Sequence, residues 1–70
     1  MKSLDVFSGN LRKVMKYKKM RQSELCRLTG IPASHMSKYC TGKNEPSMYR
    51  ALAIAKALGI SLRYLAGRVE

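Results

Sequence analysis

Acidic residues are scarce in this chain, four against fourteen lysines and arginines. With a single histidine and no paired carboxylates or nucleophile arrangement, the sequence holds no acid/base machinery and reads as a non-enzyme. Long apolar runs are missing too. The longest, ALAIA at 51–55, falls far short of the roughly 20 residues that cross a bilayer, and the N-terminus lacks the apolar core of a signal peptide. A soluble, cytoplasmic protein without membrane association is expected. No strand signal, internal repeat or low-complexity linker interrupts the chain.

Cysteine is limited to Cys26 and Cys40. Both sit in apolar helical patterns, where a free thiol behaves as a small hydrophobe, and a reduced pair is the expectation in a cytoplasm. Zinc is disfavoured. Cys26, His35 and Cys40 supply at most three ligands with no CxxC pair, and helix phase points His35 away from both sulfurs. No metal, cofactor or small-molecule ligand is implied.

What the chain has in abundance is positive charge, a formal +10 over 70 residues. Such a balance favours a polyanionic partner, nucleic acid ahead of a membrane surface, because a surface-bound peptide would need an exposed apolar face and here the apolar stripes are needed for a core. The length makes one domain, residues 1–70, that can bury only about 60% of the unfolded chain's surface.

Punctuation recurs every dozen residues or so. Leu4, Phe7, Leu11, Val14 and Met15 form a helical stripe that Ser3 could cap and that ends near Lys18, with Gly9 inside it costing about 1 kcal/mol relative to alanine. A second helix starts at Gln22, with Arg21 at the cap position, Met20 and Leu25 spaced as a hydrophobic staple, and Glu24 placed to reach back to the cap amide. Gly30 stops it. Ile31 and Pro32 lead into a third helix, about 33–40, whose inward face is Met36, Tyr39 and Cys40. After Gly42 and a KNEP loop, Ser47 caps a fourth helix with Met48, Ala51, Leu52, Ala55 and Leu58 on one face. Gly59 ends it, and Ser61 caps a short fifth helix carrying Leu62 and Leu65 within the C-terminal segment 61–70. The fold class is all-α, five short helices around one core.

The second and third helices, residues 22–41, have the form of a helix-turn-helix, whose second helix lies in the DNA major groove. Cys26 is small where the third helix crosses, and Gly30 supplies a left-handed turn. Helix phase leaves Ala33, Ser34, Ser37, Lys38 and Thr41 outward. Short side chains there let the helix approach base edges closely.

The stretch LRKVMKYKKMRQSELCRLTGIPASHMSKYCTGKNEPS, followed by LAIAKALGISLRYL, resembles the phage repressor and Cro type helix-turn-helix domains, the XRE family, over about residues 7–66. That resemblance implies a compact lambda-repressor-like five-helix fold and binding to double-stranded DNA. It also implies base reading by Ala33, Ser34, Ser37 and Lys38, and contacts to the DNA backbone or groove by Gln22, Lys43 and Asn44. Thr41, outward at the end of the same helix, joins the backbone set.

Several positions depart from the family pattern. Where many members have a capping Ser or Thr this chain has Arg21, a guanidinium placed to reach the phosphate that a helix N-terminus attracts. Thr29 stands before the turn glycine in place of an apolar residue. A buried arginine in the first helix and a glutamate at the end of the third, common in the family, are replaced together by Met15 and Cys40, which are therefore expected to touch.

Other features have plain structural readings. KYKK at 16–19 is a solvated helix end that suits the C-terminal dipole, and His35 is a solvent-facing or phosphate-edge residue. Met15, Met20, Met36 and Met48 fill gaps in the core. One recognition helix covers few base pairs, so a homodimer is expected, joined through an apolar patch of Leu62, Tyr64, Leu65 and Val69. The sequence thus points to a Cro-like or short repressor binding an operator. An antitoxin of the same fold, binding a toxin and its own promoter, is the alternative.

Overall fold

Each helix of this chain is cut short by local chemistry, and the computed structural model shows where. It describes the backbone of residues 3–67 and the side chains of residues 6–67. Five helices follow in order among the described residues: α1 (Ser3–Lys18), α2 (Gln22–Thr29), α3 (Ala33–Thr41), α4 (Met48–Leu58) and α5 (Leu62–Leu65). α1 runs through Gly9 without a break. The helical form of Ser3 is as far as that end can be described, so the expected Ser3 cap and the Leu4 side chain lie outside the described residues.

The C-termini of the first four helices are closed by a residue in the left-handed region. At α2 this is Gly30, φ 77°, where an added Cβ would meet no atom within 4 Å. Backbone conformation, not space, is therefore what demands glycine there. α1 ends instead on Lys19, φ 55°, with Met20 N–H bonded to the Met15 carbonyl at 2.8 Å and Lys19 N–H to Lys16 at 3.1 Å. Those two bonds satisfy carbonyls that the helix end would otherwise leave open.

All five helices contribute to one core. Leu11, Leu25, Met36, Ile54, Leu58 and Leu65 are fully buried, each stabilising the fold by about 1.5–3 kcal/mol relative to exposure. α1 packs on α3 and α5, α2 on α3 and α4, and α4 on α5. Of the expected α1 stripe, Phe7, Leu11, Val14 and Met15 are buried. Met20 is half-buried against the same core, to which fully buried Leu25 also belongs.

The buried face of α4 differs from the expected one. Ala51, Ile54, Ala55 and Leu58 face inward, while Met48 is 69% and Leu52 50% exposed. The spacing 51, 54, 55, 58 is as helical as 48, 52, 55, and in a run as apolar as this one composition does not choose between them. Met48 sits in the first turn, at the edge of the domain, and fills no gap in the core.

Two further links fasten α1. Asn10 Nδ2 donates to the carbonyls of Tyr64 and Leu65 at 3.0 and 3.2 Å, tying α1 to α5. Arg12 donates from its guanidinium to the carbonyl of Cys40 at the end of α3. Met15 and Cys40 are both buried in the same apolar cluster. Arg12, one turn before Met15, thus supplies the cation that α3's C-terminus favours, bound there to backbone.

Candidate nucleic-acid interface

α2 and α3 meet at a tight turn whose bonds are specific. The Gly30 N–H donates to the Cys26 carbonyl at 2.8 Å. Thr29, which replaces an apolar residue of the family pattern, uses its hydroxyl twice: it donates to the Leu25 carbonyl at 2.8 Å and accepts the Ile31 N–H at 3.3 Å. The hydroxyl therefore stitches the end of α2 to the first residue of the turn. Ile31 is buried and Pro32 stands at the start of α3 with φ −59°. Proline's fixed φ and missing N–H suit a position where no intrahelical bond is lost.

α3 has two distinct sides. Met36, Tyr39 and Cys40 are buried, whereas Ala33, Ser34, His35, Ser37, Lys38 and Thr41 are exposed. All four expected base-reading residues, Ala33, Ser34, Ser37 and Lys38, lie on that outer side. Burial raises the Cys40 thiol pKa, helped by nearby Cys26 and countered by Arg12. Cys40 is thus a neutral, packed thiol at ordinary pH, and both cysteines are free.

The expected backbone contacts are all exposed. Arg21 and Gln22 are exposed at the start of α2. Arg21 occupies the cap position in extended conformation with no side-chain cap bond, and the expected return bond from Glu24 to its amide is not formed among the described residues. Lys43 and Asn44 are exposed in the loop after α3, their N–H groups bonded to the Lys38 carbonyl at 2.9 and 3.4 Å. That folds the loop back beside Lys38. Thr41 is exposed, but its hydroxyl donates to the carbonyls of Ser37 and Lys38 at 3.0 and 3.3 Å. Its proton is engaged, leaving only acceptor capacity toward solvent.

The expected dimer patch is less free than its sequence implied. Leu65 is fully buried at 0% exposure and has no surface to give a partner, a correction that follows from α5 packing against α1 and α4. Leu62 and Tyr64 are half-buried against the core, and Val69 lies outside the described residues. Among the described residues, the large apolar side chains that do reach solvent are elsewhere: Leu28 on α2, Tyr17 on α1, and Met48, Tyr49 and Leu52 on α4.

At this face, as with the Asn10 and Arg12 bonds, a long polar side chain makes a contact that had no warning in the sequence. Arg50, in the first turn of α4, places Nη1 2.6 Å from His35 Nδ1 and 2.9 Å from the Tyr39 hydroxyl. A cluster spanning residues fifteen positions apart carries no local signal. Among the described residues no group of three His, Cys, Asp or Glu could hold a metal, and no described helix is long and apolar enough to cross a membrane.

Comparison with known proteins adds to this geometry. A stretch of 42 residues, 60% of the chain, is 45% identical to part of the replication factor C small subunit of Thermococcus kodakarensis, and spans 5% of that protein's length. No solved structure matches the chain. A family model described as a Cro/C1-type HTH DNA-binding domain matches residues 10–69. The match takes in both helices of the turn, α4, α5 and the second half of α1, and on it the chain belongs to the Cro/C1-type helix-turn-helix DNA-binding domain family.

Proposed function

We propose that the protein is a sequence-specific transcriptional regulator that binds an operator as a homodimer, with α3 in the major groove, and so blocks or redirects polymerase. The observation that carries this reading is the outer side of α3. Ala33, Ser34, Ser37 and Lys38 are all exposed and short enough, Lys38 apart, to let the helix backbone approach base edges. Arg21, Gln22, Lys43 and Asn44 are exposed as well, available for phosphates to set register while bases set specificity. A second protomer reads the second half-site about one helical turn away. Leu62 and Tyr64 remain the proposed contact between protomers. Because two copies carrying +10 each repel, the dimer is weak alone and strengthened on DNA.

The antitoxin reading has its own observation, the exposed Met48, Tyr49 and Leu52 on α4, which fit an apolar protein partner better than DNA. Selection of bound sites from a random DNA pool, followed by sedimentation of the complex, tests the first reading. A two-fold site holding two protomers supports it, with affinity falling steeply between about 50 and 200 mM salt. One protomer saturating an asymmetric site removes the dimer, and a salt-insensitive complex removes DNA as the partner. Charged substitutions at Leu62 and Tyr64 that leave assembly intact, while the same change at Leu52 abolishes it, shift the interface to α4.

A further inference from the structure

We propose that His35 acts as a neutral hydrogen-bond donor to the DNA phosphate backbone, and that Arg50 holds it in that role from α4. The inference rests on the DNA-binding reading above and names a contact within it. A guanidinium carries only donors. The short approach of Arg50 Nη1 to His35 Nδ1, 2.6 Å, therefore requires Nδ1 to be the acceptor, with no hydrogen of its own. A neutral imidazole that accepts at Nδ1 carries its hydrogen on Nε2, at the opposite side of the ring. The contact therefore fixes the tautomer, leaving a single, outward N–H on Nε2.

Arg50 is itself pinned. The same Nη1 donates to the hydroxyl of Tyr39 at 2.9 Å, and Tyr39 is 7% exposed in the core. Arg50 is half-buried and its backbone N–H is held by the Ser47 hydroxyl at 3.2 Å. His35 is exposed, so the fixed N–H meets solvent or ligand. Its place on α3 decides which ligand. Ser34, Ser37 and Lys38 lie along the exposed face, and His35 turns from Ser34 by about 100° toward α4. A helix seated in a groove about 12 Å wide meets bases along its leading face and sugar-phosphate along its flanks. The Nε2–H is accordingly aimed at a phosphate oxygen.

A neutral donor has a signature that a cation lacks. It strengthens binding without releasing a counterion, so its loss lowers affinity and leaves the salt slope unchanged. The test uses the full chain and DNA selected as above. His35 is the sole histidine, so long-range nitrogen–proton NMR spectra of its ring are unambiguous. The free protein should show the Nε2–H tautomer, and Arg50→Met should convert it to a mixture of the two tautomers. In binding, His35→Gln, whose amide nitrogen mimics Nε2, should stay within about threefold of the parent, while His35→Asn, which mimics Nδ1, should lose about tenfold with an unchanged salt slope. Thermal melts of the exposed-site variants confirm that each is folded. A free ring protonated at Nδ1, parental affinity in His35→Asn, or a flattened salt slope overturns the proposal while leaving DNA binding intact. A parent protein that selects no DNA overturns it together with the function on which it rests.

Discussion

α2 and α3 begin without a side-chain cap, Arg21 and Pro32 occupying the cap positions. In α4 and α5, by contrast, Ser47 and Ser61 accept the N–H of Arg50 and Tyr64 at 3.2 and 3.1 Å. A missing cap costs about 1 kcal/mol, and here it is missing twice in the two helices that form the proposed interface. α4 and α5 close their own N-termini, whereas α2 and α3 leave first-turn amides for an external anion, which a helix N-terminus attracts. α2 and α3 are therefore held from beneath and by the turn between them, not by their ends.

Removing the seat under α3 is the severest test of that contrast. Met36 is fully buried, and Met36→Ala should cost about 2–5 kcal/mol, whereas Ser37→Ala on the outer side should move stability by less than about 0.5 kcal/mol. Denaturant midpoints decide it, and a Met36→Ala loss below about 1 kcal/mol would mean that α3 is anchored elsewhere. Next in size are effects on DNA. Lys38→Ala and Ser34→Ala should each relax base preference at defined operator positions by about 1–3 kcal/mol, measured by competition among single-base operator variants. Loss spread evenly over all sequences would move those two residues to the backbone set.

Much of this contrast was legible before the fold was known. Gly30, Pro32, Gly42, Ser47, Gly59 and Ser61 act through their own backbone or nearest amides, so helix ends are written locally. The outward set of α3 followed from helix phase for the same reason. What was hidden involves reach across the fold. Arg50 to His35 and Tyr39, Arg12 to the Cys40 carbonyl, and Asn10 to α5 depend on where long polar side chains end once the helices have packed. α4 misled because its sequence, MYRALAIAKAL, is apolar on more than one side. Leu65 looked spare at the sequence level because burial by α1 and α4 is a tertiary fact.

Caps offer a gentler test, with opposite signs at the two kinds of helix. Ser47→Ala should cost about 1 kcal/mol, since Ser47 Oγ accepts an α4 amide. Arg21→Ser should do the reverse, adding a side-chain cap to α2 and stabilising the free protein by about 0.5–1 kcal/mol. The same change should weaken binding to all DNA sequences alike and flatten the salt slope by about one. Thermal melts and salt titrations of both variants check the pair. An Arg21→Ser variant that is more stable and binds DNA as before would show that the absent cap serves nothing.

The mildest changes come from one substitution made at two glycines, and they test whether the turn itself holds α2 against α3. Gly9 lies inside α1 and is not among the positive-φ glycines, whereas Gly30 has φ 77°. At both positions an added Cβ meets no atom within 4 Å, so neither substitution is decided by collision. Alanine at Gly9 removes conformational freedom from the unfolded chain and suits a helix interior, which should raise stability by about 0.5–1 kcal/mol. That corresponds to a rise in Tm of about 2–8 °C for a domain near this size. Alanine at Gly30 must hold a left-handed backbone that L-residues avoid, which should lower stability by about 1 kcal/mol despite the same entropic gain. Opposite shifts from an identical change, measured in the same melting experiment, isolate backbone conformation as the cause. If both variants rise together, the left-handed turn is not what joins the two outward helices, and the hydroxyl of Thr29, bonded to Leu25 and Ile31, must carry that junction instead.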